Sequence, residues 1–139
     1  MKKRTPVSEI MTTDVITLNH TDDLDIAEKL FKKNNIRHIP VVSGAKIIGM
    51  LSYTDLLRIS FADATDEDEQ NVDTVVYNMF TIEQVMAKNL VSVSSNTTIL
   101  EVAKILSKKE FHALPVVDQD KLVGIVTTTD LIDYLIEQF

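Results

Sequence analysis

The apolar residues of this chain recur in short runs and in spaced stripes, which together predict alternating strands and helices. Runs of aliphatic and β-branched residues predict strands at Val15–Leu18, Ile39–Val42, Lys46–Ser52, Leu90–Val93, Leu114–Val117 and Lys121–Thr127. Apolar residues at i, i+3, i+4 and i+7 predict a helix whose buried face consists of Ile99, Val102, Ala103 and Leu106. A second helix is predicted around a matching face of Ile26, Ala27 and Leu30. Further helices begin at Ser52 and Thr127, so the order is strand, helix, strand, strand, helix, and the predicted fold class is α/β.

The same order of elements occurs twice, at a separation of 75 residues. Met11 corresponds to Met86, and Gly49 corresponds to Gly124. Two longer runs correspond at the same spacing, Pro40–Val42 to Pro115–Val117 and Thr54–Leu56 to Thr129–Leu131. Such a series of landmarks indicates an internal duplication. We therefore predict a first repeat at residues 1–60, a linker at 61–80 and a second repeat at 81–139.

The first helix of each repeat begins with a capping pattern. Asp22 and Thr98 are the predicted N-caps. Asp25 and Glu101 follow them by three residues, as in a capping box. These two pairs lie 76 rather than 75 residues apart, which predicts that the first repeat lacks one residue at the start of this helix. The first repeat then gains one residue at the end of the helix, near Asn35.

The predicted linker contains an acidic run, residues 63–69, with five carboxylates in seven residues. A run of like charges is typically a solvated loop. Clustered carboxylates also bind divalent cations, but this run lacks the glycine that a calcium-binding loop needs at its turn. We adopt the solvated loop and predict no metal site. Thr81 and Gln84 form another capping-box pattern, which predicts that ordered structure resumes there.

Composition and charge restrict the partners of the chain. Its formal net charge of −7 argues against general nucleic-acid binding, which needs a basic surface. No run approaches the roughly 20 apolar residues of a membrane span, and no apolar segment follows the basic N-terminus as in a signal peptide. Cysteine is absent, which excludes disulfides and agrees with a reducing compartment. We expect a cytoplasmic protein with no nucleic-acid or membrane partner.

The sequence also lacks the patterns of common catalytic sites. Its three histidines, His20, His38 and His112, do not have the spacing of a metal-binding pair, and there is no cysteine to complete a zinc site. The three glycines do not form a phosphate-binding loop, and no nucleophile elbow is present. We therefore predict that the chain is not an enzyme and has no catalytic or covalently bound cofactor.

Several ordered motifs occur in both repeats. They are Val7–Met11, Ile36–Val42 and Ile48–Asp55 in the first, and Val85–Met86, Phe111–Val117 and Val123–Asp130 in the second. This set resembles a tandem pair of CBS domains, also called a Bateman module. The resemblance implies two repeats packed sheet to sheet with pseudo-two-fold symmetry, and two related clefts. It also implies a regulatory ligand that contains adenosine, namely AMP, ADP, ATP or S-adenosylmethionine, and signalling to an effector protein in trans.

The resemblance implies specific contacts with such a ligand. The Ser/Thr-x-x-Asp element of the family, whose aspartate contacts the ribose hydroxyls, corresponds to Ser52 with Asp55 and to Thr127 with Asp130. A carboxylate is chemically suited to accept hydrogen bonds from two neighbouring hydroxyls. The same four residues also match two ordinary capping boxes, so ribose binding and helix capping remain alternatives.

Phosphate contacts are implied for residues that precede the paired prolines. Arg37 and His38 precede Pro40, and His112 occupies the same region of the second repeat. Guanidinium and imidazolium groups bind anions. The alternative is that these residues are only the exposed ends of strands. Ala113 stands where the first repeat has His38, so we expect two unequal clefts.

Contacts with the adenine base are implied for four more residues. Thr17 and Ser92 match positions that line the adenine pocket in the family. Ile39 and Leu114 are candidates to cover the base, with core packing as the alternative role. Because proline has no N–H group, we expect the strands that contain the paired prolines to lie at a sheet edge or to be interrupted there.

The last helix has an apolar stripe formed by Leu131, Ile132, Leu135 and Ile136. Exposed apolar surfaces of this kind mark interaction sites, and CBS pairs commonly associate through their helices. We therefore expect a homodimer, with packing of the stripe inside its own chain as the alternative. The same stripe supports the alternative to ligand sensing, which is a dimerisation or scaffold module with vestigial ligand clefts.

Overall fold

The computed structural model describes residues 4–62, 77, 79–109 and 112–139. The chain divides into two compact units, each with its own apolar core. We call Ile16–Leu90 the central unit, and Met1–Val15 with Val91–Phe139 the terminal unit. The acidic run at residues 63–69, and with it the question of a cation site, lies outside the described residues.

The central unit is built on a three-stranded sheet. In chain order its elements are β1 (Leu18–Asn19), α1 (Leu24–Asn34), β2 (His38–Ser43), β3 (Lys46–Ser52), α2 (Tyr53–Ala62) and α3 (Ile82–Val85). Strand β2 lies between the other two, parallel to β1 and antiparallel to β3. Gly44 has a φ of 65° in the two-residue turn between β2 and β3, a conformation that glycine adopts without steric cost.

The terminal unit repeats this plan. Its elements are a 3₁₀ turn (Val7–Glu9), α4 (Ile99–Lys108), β4 (Ala113–Asp118), β5 (Lys121–Thr127) and α5 (Thr128–Glu137). Strands β4 and β5 are antiparallel, and Val93 bridges Val116 in parallel at the place that β1 occupies in the central unit. The α/β class and the predicted bounds of β3 and β5 are confirmed. None of the described helices combines the length and apolar character that crossing a membrane requires.

The first strand of each repeat is shorter than the sequence predicts, and the prolines explain this. Strand β1 has two residues. Of the predicted strand Leu90–Val93, only Val93 pairs with a neighbouring strand. Val93 donates its N–H to the carbonyl of Pro115 and accepts from the N–H of Val117, as in a parallel ladder. Extension of this ladder toward Val91 needs an N–H at residue 115, which proline lacks. The expectation that the strands with the paired prolines lie at an edge or are interrupted is wrong for β2, which lies between two strands and continues through Pro40. Strand β4 also continues through Pro115, and among the described strands β5 is its only partner. The predicted lengths of the first strands are wrong as well.

The buried faces of α1 and α4 show that the helices align at 75 residues. Leu24 and Ala27 are buried in α1, and their counterparts in α4 are Ile99 and Val102. Ile26, which a separation of 76 places on Val102, is 40% exposed. The predicted shift at the start of this helix is therefore wrong. The buried apolar residues of the two helices determine how the repeats align, whereas the polar residues of the first helical turn do not.

The N-caps correct the same prediction. Helix α1 begins after Asp23 rather than after Asp22. Asp22 instead accepts a hydrogen bond from the backbone N–H of Asn19 at 2.9 Å, which closes the turn before the helix. Thr98 caps α4 as predicted, because its side chain accepts from the N–H of Glu101. The sequence motif of a capping box therefore predicts the start of α4 correctly and the start of α1 one residue too early.

No residue is inserted at the end of α1 either. Asn35 follows this helix in the left-handed conformation, with a φ of 52°, and donates its N–H to the carbonyl of Phe31. Asparagine visits this conformation more readily than most residues. The next strands begin at His38 and Ala113, again 75 residues apart. The predicted gain of a residue near Asn35 is therefore wrong.

Two short segments, residues 7–12 and 82–87, pair with the sheet of the other repeat, and we call them the leader segments. Segment 82–87 belongs to the central unit, where Ala87 and Met50 exchange two backbone hydrogen bonds of 2.9 and 3.0 Å. Segment 7–12 belongs to the terminal unit, where Thr12 and Ile125 exchange the equivalent bonds of 2.8 and 2.9 Å. Each compact unit therefore contains the sheet of one repeat and the leader segment of the other.

A methionine of each leader segment lies against a glycine of the sheet. A Cβ atom at Gly49 would overlap the side chain of Met86. A Cβ atom at Gly124 would lie 2.7 Å from the sulfur of Met11 and 3.0 Å from the carbonyl oxygen of Thr12. The absence of a side chain at Gly49 and Gly124 therefore allows the leader segments to lie close to the sheets.

Candidate functional site

One end of the sheet in the central unit gathers four of the predicted ligand-binding residues. Strand β2 begins at His38, which pairs with Ser52 at the end of β3. The N–H of Tyr53, the first residue of α2, donates to the carbonyl of Arg37 at 2.9 Å. Asp55 lies in the first turn of α2 and donates its N–H to the hydroxyl of Ser52 at 3.0 Å. We call Arg37, His38, Ser52 and Asp55 the central site.

The terminal unit places the equivalent residues in the same way. Ala113 pairs with Thr127 at the corresponding end of the ladder. The N–H of Thr128, the first residue of α5, donates to the carbonyl of His112 at 3.0 Å. The N–H of Asp130 donates to the hydroxyl of Thr127 at 3.2 Å. We call His112, Ala113, Thr127 and Asp130 the terminal site.

The two aspartates differ in what their carboxylates contact. Oδ2 of Asp130 accepts a hydrogen bond from the backbone N–H of Thr127 at 2.9 Å and so completes a capping box. Oδ1 of Asp55 instead lies 3.5 Å from Nη1 of Arg58. Helix capping is therefore an observed role of the Asp130 carboxylate. Ribose binding by either aspartate stays a prediction.

Arg58 is a residue of this region that the sequence motifs do not identify. It follows Asp55 by three residues, a spacing at which two side chains meet on one face of a helix. Its side chain is 74% exposed, so the guanidinium keeps most of its surface available to solvent or to a ligand. The residue 75 positions later is Asp133, so the two repeats have opposite charges here. An alignment of the two repeats that continues past the Ser/Thr-x-x-Asp element would identify Arg58 from the sequence, because the charge changes sign at this position.

The other four predicted ligand-binding residues divide into an exposed and a buried pair. Thr17 and Ser92 are exposed, and each directly precedes the residue that pairs with β2 or β4. Ile39 and Leu114 are 0% and 1% exposed and belong to the two apolar cores. Core packing, the alternative for these two residues, is the role that their burial shows. Contacts of all four residues with an adenine base stay predictions.

Two carboxylates outside the sites have pKa values below their ordinary range. Burial raises the pKa of Glu28, but hydrogen bonds from Lys32 and Tyr77 outweigh it, and the pKa lies below the ordinary 4.5. Hydrogen bonds from the side chain and backbone of Ser95 lower the pKa of Asp118. The N–H of Ser95 donates to Oδ1 of Asp118 at 3.0 Å. The folded protein therefore favours the ionised form of both groups.

Known proteins match the chain over both repeats. The family model of the CBS domain matches residues 7–62 and 82–137. The CBS domain-containing protein YhcV of Bacillus subtilis is 30% identical over 125 residues, which cover 90% of this chain and 81% of YhcV. The uncharacterized protein MJ1225 of Methanocaldococcus jannaschii is 30% identical over 131 residues, which cover 94% of this chain.

The chain spans less than half the length of some of these relatives. It covers 42% of MJ1225. It is also 31% identical over 137 residues to a homoserine O-acetyltransferase of Methanohalobium evestigatum, and it covers 97% of its own length but 25% of that protein. The similarity therefore concerns a module that also occurs within longer proteins.

A solved structure shows the same architecture with ligands. The CBS domain pair of protein MJ0100, in complex with 5′-methylthioadenosine and S-adenosylmethionine, is 26% identical with a TM-score of 0.79. The match covers 97% of this chain and 98% of that chain. CBS pairs are regulatory rather than catalytic modules. The two repeats, their shared strand-end geometry and these matches lead to one conclusion, that this chain belongs to the CBS-domain family and contains two CBS domains in tandem.

Proposed function

We propose that this CBS pair senses an adenosine-containing ligand, AMP, ADP, ATP or S-adenosylmethionine, which binds at the central and terminal sites. The observation that carries the proposal is the recurrence of one arrangement at the same strand end of both units. In each unit an aspartate in the first helical turn stands beside a hydroxyl residue. A relative of the same fold, the CBS pair of MJ0100, binds two ligands that contain adenosine.

The chemistry of the central site suits such a ligand. The carboxylate of Asp55 accepts hydrogen bonds from two neighbouring ribose hydroxyls, and such charge-assisted bonds are stronger than neutral ones. Arg37 is exposed and His38 half-buried at the start of β2, where a guanidinium and an imidazole meet a phosphate. The binding signal passes to an effector protein in trans, and the module acts in the cytoplasm.

Substitution of the two aspartates tests this proposal. Asp55→Asn and Asp130→Asn each keep the shape of the side chain and its capping ability, since Asn caps helices about as well as Asp. Loss of a charged hydrogen bond costs about 1.5–3 kcal/mol, so the affinity of the altered site falls by roughly 10- to 150-fold. Titration calorimetry with AMP, ATP and S-adenosylmethionine measures the affinity, and thermal melting measures stability. Unchanged affinity for all three ligands in both variants contradicts the proposal.

A second candidate function, dimerisation, is favoured by the last helix. Ile132, Leu135 and Ile136 of α5 are 51%, 45% and 64% exposed. We propose that a second copy of the chain covers this stripe. Ile136→Lys places a charge on it and is expected to convert a dimer into a monomer in sedimentation experiments. Ser43→Lys, at the exposed hairpin end of β2, adds the same charge away from the helices and is the control. A wild-type protein that sediments only as a monomer contradicts dimerisation.

A further inference from the structure

The central and terminal sites have equivalent backbones but opposite charges. Three equivalent positions carry the difference. The central unit has Arg37, His38 and Arg58 where the terminal unit has His112, Ala113 and Asp133. The aspartate that we propose to bind ribose is common to both sites. Among these positions, the central site combines two guanidinium groups with one carboxylate, whereas the terminal site combines two carboxylates with no lysine or arginine.

The structure places the guanidinium of Arg58 close to the proposed ribose contact. Nη1 of Arg58 lies 3.5 Å from Oδ1 of Asp55, and the Asp55 side chain is 24% exposed. Arg37 joins the same region through its carbonyl, which accepts the N–H of the first residue of α2. In the terminal unit Asp133 follows Asp130 by three residues on α5, so both carboxylates lie on one face of that helix.

We infer that the two sites discriminate ligands by charge. The central site takes an adenosine ligand that carries phosphate, and the terminal site takes an adenosine ligand without phosphate, either neutral or cationic. This inference rests on the proposed function and adds a selectivity to each site. Of the three differing positions, the pair Arg58 and Asp133 makes the largest difference, because it replaces a positive charge by a negative one.

The physical basis is the interaction of a phosphate with nearby charges. A phosphate within a few ångströms of a guanidinium is attracted, and the same phosphate near two carboxylates is repelled. A neutral ligand that lacks phosphate does not experience this difference, whereas the sulfonium cation of S-adenosylmethionine is attracted by the carboxylates. Since Arg58 is largely exposed, solvent reduces the effect to that of a surface ion pair, about two- to fivefold in affinity for one charge. Added salt weakens it further.

The test is a calorimetric titration of the full chain with AMP and with 5′-methylthioadenosine. Asp55→Asn and Asp130→Asn first identify the site at which each ligand binds. Arg58→Gln is then expected to lower the affinity of the central site for AMP about two- to fivefold and to leave that for 5′-methylthioadenosine unchanged. Asp133→Asn is expected to raise the affinity of the terminal site for AMP by a similar factor.

Two matched controls separate site charge from net charge. Lys46 is the first residue of β3, and Asp120 lies in the turn between β4 and β5. Both lie at the opposite end of their hairpins from the two sites. Lys46→Gln removes one positive charge and Asp120→Asn one negative charge, and neither is expected to change either affinity. The double variant Arg58→Asp with Asp133→Arg is expected to weaken AMP binding at the central site and to strengthen it at the terminal site, which reduces the difference between the two sites.

The outcomes distinguish this inference from the proposed function. Two results overturn the charge selectivity while ligand sensing stands. One is an equal change of affinity for AMP and 5′-methylthioadenosine in Arg58→Gln, and the other is a wild-type protein that binds AMP more tightly at the terminal site than at the central site. A wild-type protein that binds neither ligand nor S-adenosylmethionine overturns the proposed function and the selectivity with it.

Discussion

The central and terminal units keep the same buried positions and differ at the polar positions around them. Ile39 and Leu114 are equivalent and buried, as are Val41 and Val116. The polar residues that begin the helices differ, because Thr98 caps α4 whereas Asp23 makes no side-chain cap on α1. The comparison teaches that the repeated apolar pattern maintains the fold, while polar positions are free to change in one unit at a time.

The strongest test of this comparison is truncation of equivalent core residues. Ile39→Ala and Leu114→Ala each remove a fully buried side chain and are expected to cost about 2–5 kcal/mol of unfolding free energy. Urea unfolding measures the cost. Ile26→Ala, at an exposed position of α1, is the control and is expected to change stability by less than about 0.5 kcal/mol. A small loss of stability with a large loss of ligand affinity would instead show that these residues mainly cover a base.

The glycines beneath the leader segments sharpen the comparison. Gly49→Ala is expected to cost about 1–3 kcal/mol because the new Cβ overlaps Met86. Gly124→Ala is expected to cost a similar amount, but its Cβ meets the carbonyl oxygen of Thr12 as well as Met11. Replacement of the methionine by alanine therefore relieves the strain of Gly49→Ala more fully than that of Gly124→Ala. Double-mutant cycles measure this coupling, and equal coupling in the two units contradicts the prediction.

The repeat and most of the elements follow from the sequence, because they depend on local patterns. Strands β3 and β5 and the capping box of Thr81 with Gln84 need only neighbouring residues to be recognised. The lengths of the first strands depend on a proline of the next strand. The partner of each leader segment depends on a choice between two similar sheets, since both Gly49 and Gly124 accept a methionine. Local sequence patterns therefore cannot predict which sheet each leader segment pairs with.

The candidate site divides in the same way. The Ser/Thr-x-x-Asp element identifies Asp55 and Asp130, and both lie in the first helical turn at the predicted strand end. The different contacts of their carboxylates are not apparent from the motif, because both copies have the same spacing. One residue outside the motif contacts one of these carboxylates, because Arg58 lies beside Asp55, and the equivalent residue of the other unit is Asp133.

A smaller effect is expected from the caps of the first helices. Thr98→Ala removes a side-chain hydrogen bond to the N–H of Glu101 and is expected to cost about 1 kcal/mol. Asp23→Ala removes no such bond and is expected to cost a few tenths of a kcal/mol through the helix dipole. Thermal melting of both variants measures the difference. Equal losses would mean that Asp23 caps α1 in solution and that the helix starts of the two units are alike.

The smallest expected difference depends on pH and concerns Glu28, whose counterpart in the terminal unit is Ala103. The hydrogen bonds from Lys32 and Tyr77 favour the carboxylate, so the pKa of Glu28 is lower in the folded than in the unfolded protein. Its contribution is therefore present above the ordinary pKa of 4.5 and is lost as the pH falls through the folded value. Because Lys32 is 63% exposed, solvent limits the contribution to roughly 0.5 kcal/mol.

Glu28→Gln isolates this contribution, because the amide keeps the size of the side chain but does not ionise. The wild type is expected to be more stable than the variant at neutral pH, and the difference is expected to vanish in acid. Chemical denaturation at a series of pH values measures it. A difference between wild type and Glu28→Gln that persists unchanged into acid would mean that the side chain stabilises the central unit by packing and not by its charge.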